Sequence, residues 1–296
     1  MIRRTACLIA RDVDPYRNLA IEKHLMDTLP EETAVLYLWQ NRQTVMIGRA
    51  QNPWYECPVD QFTMAGGLVA RRLSGGPAVY QDHGSLNATL IMPKNEFDIP
   101  RQLSILGMAA GAFGVQAQLV SRQDLGVDGR MFCANAFFKS GSAAMHQGTL
   151  YVKSDMKARE RFTQVEEGKL PQHFRRPDAE VLNLADLHEA ITVEALEEAI
   201  YWAFARAYGA EPAMLDERML DSRSIERMTQ QFCSREWVLP RSIPYTFSVA
   251  ERFPWGGVAL QLMAEGGVIR AAKVYTDAME AGLFDQIEQA LVGAPI

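Results

Sequence analysis

Polar and apolar positions recur along this chain at two periods, and Gly, Pro and Asn punctuate them. The run 18–26, Asn-Leu-Ala-Ile-Glu-Lys-His-Leu-Met, has the spacing of an amphipathic helix ending near Pro30. Short β-branched or aromatic runs at 34–39, 44–47, 68–72, 78–81 and 86–92 predict strands. A helix is predicted over 101–113, with Leu103, Leu106 and Ala110 on one stripe, and strands over 115–120 and 148–152. A longer helix is predicted over 192–208, with Thr192 as N-cap, Gly209 after its end, and Tyr201, Trp202 and Phe204 expected in the core. Near the end, strands at 258–262 and 268–276 flank Glu265-Gly266-Gly267, a hairpin signal, and 281–292 closes as a short helix. The change of character after Trp237 puts a domain boundary near Pro244, giving domains 1–243 and 244–296.

Composition narrows the function classes. A length of 296 residues and a hydrophobic fraction of 48% suit one large domain with a smaller one. A formal charge of −6 argues against sequence-independent binding of nucleic acid, which needs clustered Lys and Arg. Cys7, Cys57, Cys133 and Cys233 are widely spaced and suggest neither a disulfide framework nor a zinc site. The five histidines show no metal-ligand spacing. The apolar run 6–10 is too short for a signal segment, and no run approaches the roughly 20 apolar residues of a membrane span. The expectation is a cytoplasmic protein with no membrane partner.

The chemistry concentrates in Arg71-Arg72-Leu73-Ser74-Gly75-Gly76-Pro77-Ala78-Val79-Tyr80. Two glycines after a strand let backbone N–H groups come close to a ligand, and the arginines offer fixed charge for a carboxylate or phosphate. The segment is neither a Walker A loop nor a GxGxxG turn. Four more segments accompany it in order. They are Gly48-Arg49-Ala50-Gln51-Asn52, Asp82-His83-Gly84-Ser85, Arg122-Gln123-Asp124 and His146-Gln147-Gly148-Thr149-Leu150.

Together with the opening Asn18-Leu19-Ala20-Ile21-Glu22 and the later Phe253-Pro254-Trp255-Gly256-Gly257, this series resembles the lipoate–protein ligase family. The resemblance spans nearly the whole chain. It implies an α+β protein, with a mixed β-sheet catalytic domain like that of biotin and lipoate ligases and a small C-terminal α/β accessory domain. It further implies that ATP and Mg²⁺ convert lipoic acid, or octanoate, to an acyl-adenylate. A lysine of a lipoyl domain then takes the acyl group; 2-oxoacid dehydrogenase complexes and the glycine-cleavage H protein carry such domains. In this scheme Arg72 meets the carboxylate or phosphate end. Residues Ser74, Gly75, Gly76, Pro77, Ala78, Val79 and Tyr80 line the adenylate channel, with Gln123, Gly148 and Thr149 in the same binding series. Asp124 acts near the metal and phosphates, and Val45 walls the acyl chain. The accessory segment is shorter than in the two-domain bacterial form.

The family's K-[VIF]-S-G-[NS]-A segment is altered here. An ungapped alignment puts Met131 at the lysine, Cys133 at the serine and Ala134 at the glycine. The other alignment uses Lys139-Ser140-Gly141-Ser142-Ala143, where Lys139 abuts the serine and Phe138 takes the lysine's place. The ungapped one is preferred, because a gap within a strand turns side chains to the other face. Gln123 and Ser85 stand where the family has asparagine. These changes at the reacting centre point to weakened adenylation or to a pseudoenzyme. Cys133 reads as a small buried residue or as a thioester-forming nucleophile for carrier-to-carrier transfer. His146 reads as a ligand contact or a hydrogen-bonded core imidazole. The charged stretches Lys157-Ala158-Arg159-Glu160-Arg161 and His173-Phe174-Arg175-Arg176 read as solvated, with acceptor docking as the alternative.

Overall fold

The computed structural model describes residues 1–163, 180–240, 242–280 and 282–296. The charged stretch 173–176 lies outside them. In chain order the strands are β1 (Arg4–Ile9), β2 (Thr33–Trp39), β3 (Thr44–Ile47), β4 (Leu68–Arg71), β5 (Val79–Gln81), β6 (Ser85–Pro93) and β7 (Gln118–Leu119). There follow β8 (Leu125–Val127), β9 (Arg130–Ser140), β10 (Ala143–Tyr151), β11 (Ala213–Met214), β12 (Phe247–Phe253), β13 (Gly256–Glu265) and β14 (Val268–Thr276). Two compact units emerge: one holds 1–44, 81–159 and 180–232, the other 45–80, 160–163 and the described residues from 233 onward.

The first unit is built on an eight-stranded sheet of order β11-β1-β2-β6-β10-β9-β8-β7. It is mixed, since β1 runs parallel to β2 and β11 while β2, β6, β10, β9 and β8 pair antiparallel. One face buries Leu36, Leu38, Leu86, Leu90, Leu150 and Cys133 against Leu103 and Leu106 of the Ile99–Gly111 helix and Leu196, Ile200 and Phe204 of the Val193–Tyr208 helix. The other face meets the Pro15–Asp27 helix, which is N-capped by Asp14. That face is polar, as described below.

The second unit contains a three-stranded sheet β4-β3-β5 and a second one, β12-β13-β14. The β13–β14 hairpin turns at Gly266 and Gly267, and the Gly282–Leu291 helix packs on β14. Among the described residues no helix is long and apolar enough to cross a membrane.

Most predicted elements appear within three residues of their expected ends. Others differ: the strand expected over 148–152 begins at Ala143, and β9 and β12 fall outside the predicted strands. The strand expected over 115–120 shrinks to β7, because the Ala110–Ala117 backbone is used in turns after the helix. Trp202 is 52% exposed rather than in the core. The buried stripe of its helix runs through Leu196, Ile200, Ala203 and Phe204, and at about 100° per residue position 202 faces outward. Thr192 caps that helix as expected, accepting from Ala195 N–H.

Candidate functional site

The 71–80 loop lies in the second unit. Arg72 is buried and its guanidinium turns back on the loop: Nε donates to Ser74 Oγ, Nη1 to Met46 O, and Nη2 to Gly75 O and Pro77 O, all at 2.7–3.0 Å. Ser74 is fully buried, and its carbonyl accepts from Arg49 N–H. Gly76 has φ +85° and donates its N–H to Ala278 O at 3.0 Å.

The glycines are needed for close approach of the chain to itself. A Cβ at Gly75 would lie 2.2 Å from Ala278 O, and one at Gly48 would lie 2.2 Å from Gly76 O. The loop's donors and its glycines therefore brace its backbone on itself, on Met46 and on Ala278. Pro77, Ala78 and Val79 are its half-exposed part, while Tyr80 and Val45 are buried. Pro77 stands where the family pattern has a third glycine.

In the first unit, the turn 121–124 is tied to β9 through Asn135. Asp124 Oδ2 accepts from Ser121 Oγ at 2.7 Å and its Oδ1 from Asn135 N–H at 3.0 Å. Asn135 Nδ2 donates to Gln123 O, and Gln123 Nε2 donates back to Asn135 O. His146 Nε2 meets Asn135 Oδ1 at 2.7 Å, and its ring packs on Phe137. Fully buried, His146 is pushed down to about 3 by desolvation and is a neutral core imidazole. Gly148 belongs to the same packing, since a Cβ there would lie 2.7 Å from Leu106 Cδ1.

Gln123, Asp124, Cys133, Asn135, His146 and Gly148 thus form one packed group facing the apolar core. Met131 and Lys139 lie apart from it on β9. Met131 is buried, its N–H donating to Glu180 O and its carbonyl accepting from Leu182 N–H. Lys139 is exposed at the hairpin end, with Nζ 5.2 Å from the Phe97 ring centre. Cys133 is fully buried, and burial, with Asp124 adding to it, pushes its thiol up. A nucleophilic thiol needs the opposite surroundings.

Asp124 has both oxygens engaged, and among the described residues no three His, Cys, Asp or Glu side chains cluster to hold a metal. A magnesium ion held with nucleotide phosphates needs only one or two protein carboxylates, and Asp124 is the carboxylate that this turn presents.

Sequence reasoning missed the polar face of the large sheet. Tyr37 OH donates to Asn18 Oδ1, and Asn18 Nδ2 to Asn41 Oδ1. Asn41 Nδ2 then donates to Gln81 Oε1, and Gln81 Nε2 to Asn87 Oδ1 and Thr149 Oγ1, at 2.7–3.1 Å throughout. Beside this row, the fully buried Glu22 accepts from Thr89 Oγ1 and Gln147 Nε2, each at 2.6 Å. The signal was available: Ser85, Asn87 and Thr89 alternate with Leu86, Ala88 and Leu90 in a strand bounded by Gly and Pro.

Comparison with known proteins agrees with this architecture. The model for the lipoyl protein ligase A/B catalytic domain matches 14–205, and that for the bacterial lipoate protein ligase C-terminus matches 242–296. Lipoate-protein ligase A of Psychrobacter cryohalolentis is 32% identical over 287 residues, covering 94% of this chain and 85% of that protein. LipL1 of P. falciparum, solved in complex with lipoate, shares the fold at TM-score 0.87 and 21% identity, covering 99% of this chain and 90% of that one. A lipoate-protein ligase A bound with ATP aligns at TM-score 0.65 and 18% identity, over 81% of this chain and 99% of that one. With an ordered set of motifs, a mixed sheet of the matching fold and family models over both parts, this chain belongs to the lipoate–protein ligase family.

Proposed function

We propose that this chain binds lipoate or octanoate, activates it with ATP to the acyl-adenylate and passes the acyl group to a lysine of a lipoyl domain. We further infer that adenylation is slow because Met131 stands at the family's lysine. The reading rests on the match of the catalytic family model over 14–205, with Arg71 to Gly76 intact within it. The ligase name of a curated relative, and the lipoate and ATP of solved ones, support it. Acyl activation depends mainly on positioning and on stabilising developing charge. A loop braced through Arg72 suits the first. For the second, a thioether donates no hydrogen bond, and loss of one such donor costs about 10²–10³ in rate.

A non-adenylating member that holds a lipoyl ligand or a lipoylated protein is the second reading. It is favoured by Lys139, which is exposed at the end of β9 and apart from Asp124. Acyl transfer through Cys133 is opposed by its complete burial.

Lipoate-dependent ATP–pyrophosphate exchange tests the proposal. Weak exchange is expected for the natural chain, rising about 100-fold in Met131→Lys. Lipoate-induced thermal stabilisation without exchange in either protein moves the conclusion to the second reading. Neither stabilisation nor exchange removes both.

A further inference from the structure

We infer that Arg71 and Trp237 form a lock that positions the ligand loop, with Trp237 acting as a positioning residue for it. This deepens the proposed function and, in its ligand-binding arm only, rests on that reading. Trp237 falls in the stretch 206–241, which neither family model covers.

Arg71 ends β4, is 3% exposed, and burial lowers its guanidinium to about 10. The guanidinium donates to five backbone carbonyls. Three belong to the turn after β3: Gly48 O at 3.1 Å, Arg49 O at 2.8 Å and Gln51 O at 2.8 Å. The other two are Trp237 O at 2.9 Å and Val238 O at 3.0 Å, in the Arg235–Val238 helical turn. The contact is reciprocal, since Trp237 Nε1–H donates to Arg71 O at 2.8 Å. The Trp237 ring also carries the Arg49 guanidinium 5.0 Å from its centre. Arg49 N–H in turn holds Ser74 O.

Three segments distant in sequence thus meet at one side chain, and it belongs to the first residue of the 71–80 loop. A buried guanidinium held by neutral carbonyls is a poor device for stability alone, because desolvating the charge is costly and an apolar side chain fills the same space. The arginine supplies fixed distances between the 48–51 turn, the loop and residues 237–238. The consequence is that the shape of the loop depends on the connector before the C-terminal segment.

Hydrogen exchange followed by mass spectrometry on the full chain tests the lock. Trp237→Phe keeps the ring and removes the N–H. Exchange of 47–52 and 71–78 is expected to speed up about tenfold, as for loss of one buried hydrogen bond, with β6 unchanged. Arg71→Lys keeps the charge, loses the fork and speeds the same segments more. Unchanged exchange in 47–52 and 71–78, or an equal rise in β6, overturns the proposal.

In the natural chain, lipoate alone is expected to slow 47–52, 71–78 and 235–239 together. Its dissociation constant rises roughly fivefold to tenfold in Trp237→Phe while that in the natural chain sets the reference. Loop protection that leaves 235–239 untouched also overturns the lock. If lipoate protects nothing in the natural chain, the lipoate reading fails, and the comparison between natural chain and variant still decides the lock.

Discussion

The two faces of the eight-stranded sheet are built on opposite principles. Toward the Ile99–Gly111 and Val193–Tyr208 helices, Leu36, Leu90, Leu106, Leu150 and Phe204 interdigitate without regard to direction. Toward the Pro15–Asp27 helix, Asn18, Asn41, Gln81, Asn87 and Thr149 are joined donor to acceptor, and Glu22 anchors a second set. The apolar face tolerates adjustment, because dispersion and burial depend on volume. The polar face does not, since each buried donor left without an acceptor costs about 1–3 kcal/mol. The same strands carry both through simple alternation, so the sheet separates a face for stability from a face for specificity.

The sharpest break of this contrast is Glu22→Ala. It strands the Thr89 hydroxyl and the Gln147 amide, and the urea midpoint is expected to fall by the equivalent of about 3 kcal/mol. Glu22→Gln, which keeps an acceptor, is expected to lose less. On the apolar face Gly148→Ala drives a Cβ toward Leu106 and is expected to cost about 2 kcal/mol. Adding Leu106→Ala relieves the clash, so the two costs sum to more than the double variant shows. An additive result removes the packing account.

Acid gives the third probe. His146 is neutral when folded, with its pKa depressed to about 3 from the ordinary 6.5. Between those values the unfolded chain binds a proton that the folded one does not. Stability from this site is therefore full above pH 6.5 and declines as pH falls toward 3, by at most about 1.4 kcal/mol per unit. His146→Gln is expected to flatten that part of the melting-temperature profile; equal slopes in both proteins disprove the assignment. The smallest effect is Tyr37→Phe, which removes the donor at the head of the amide row. Burial keeps that hydroxyl protonated, and its loss is expected to cost about 1 kcal/mol with the fold intact.

The contrast also explains what the sequence reveals. Local chemistry was legible: Thr192 caps its helix, Gly266 and Gly267 turn the last hairpin, and β3 spans the expected residues. Family membership was legible too, because ordered motifs survive in one dimension. What escaped was the choice of partner. Nothing near Arg72 in sequence says that its guanidinium serves the carbonyls of Met46 and Pro77. Asn135, unremarked in sequence, decides the surroundings of His146 and Asp124 because β9 lies between β10 and β8.

The amide row has one further consequence. Its carboxamides all point the same way, from the tyrosine hydroxyl toward Asn87, so no member reverses its oxygen and nitrogen ends without forcing its neighbours to do the same. Five side chains drawn from helix, loops and strands thus behave as a single polarised rod. Transplanting this face to another ligase scaffold means moving the rod whole. A single exchanged amide leaves a broken circuit rather than a weaker one.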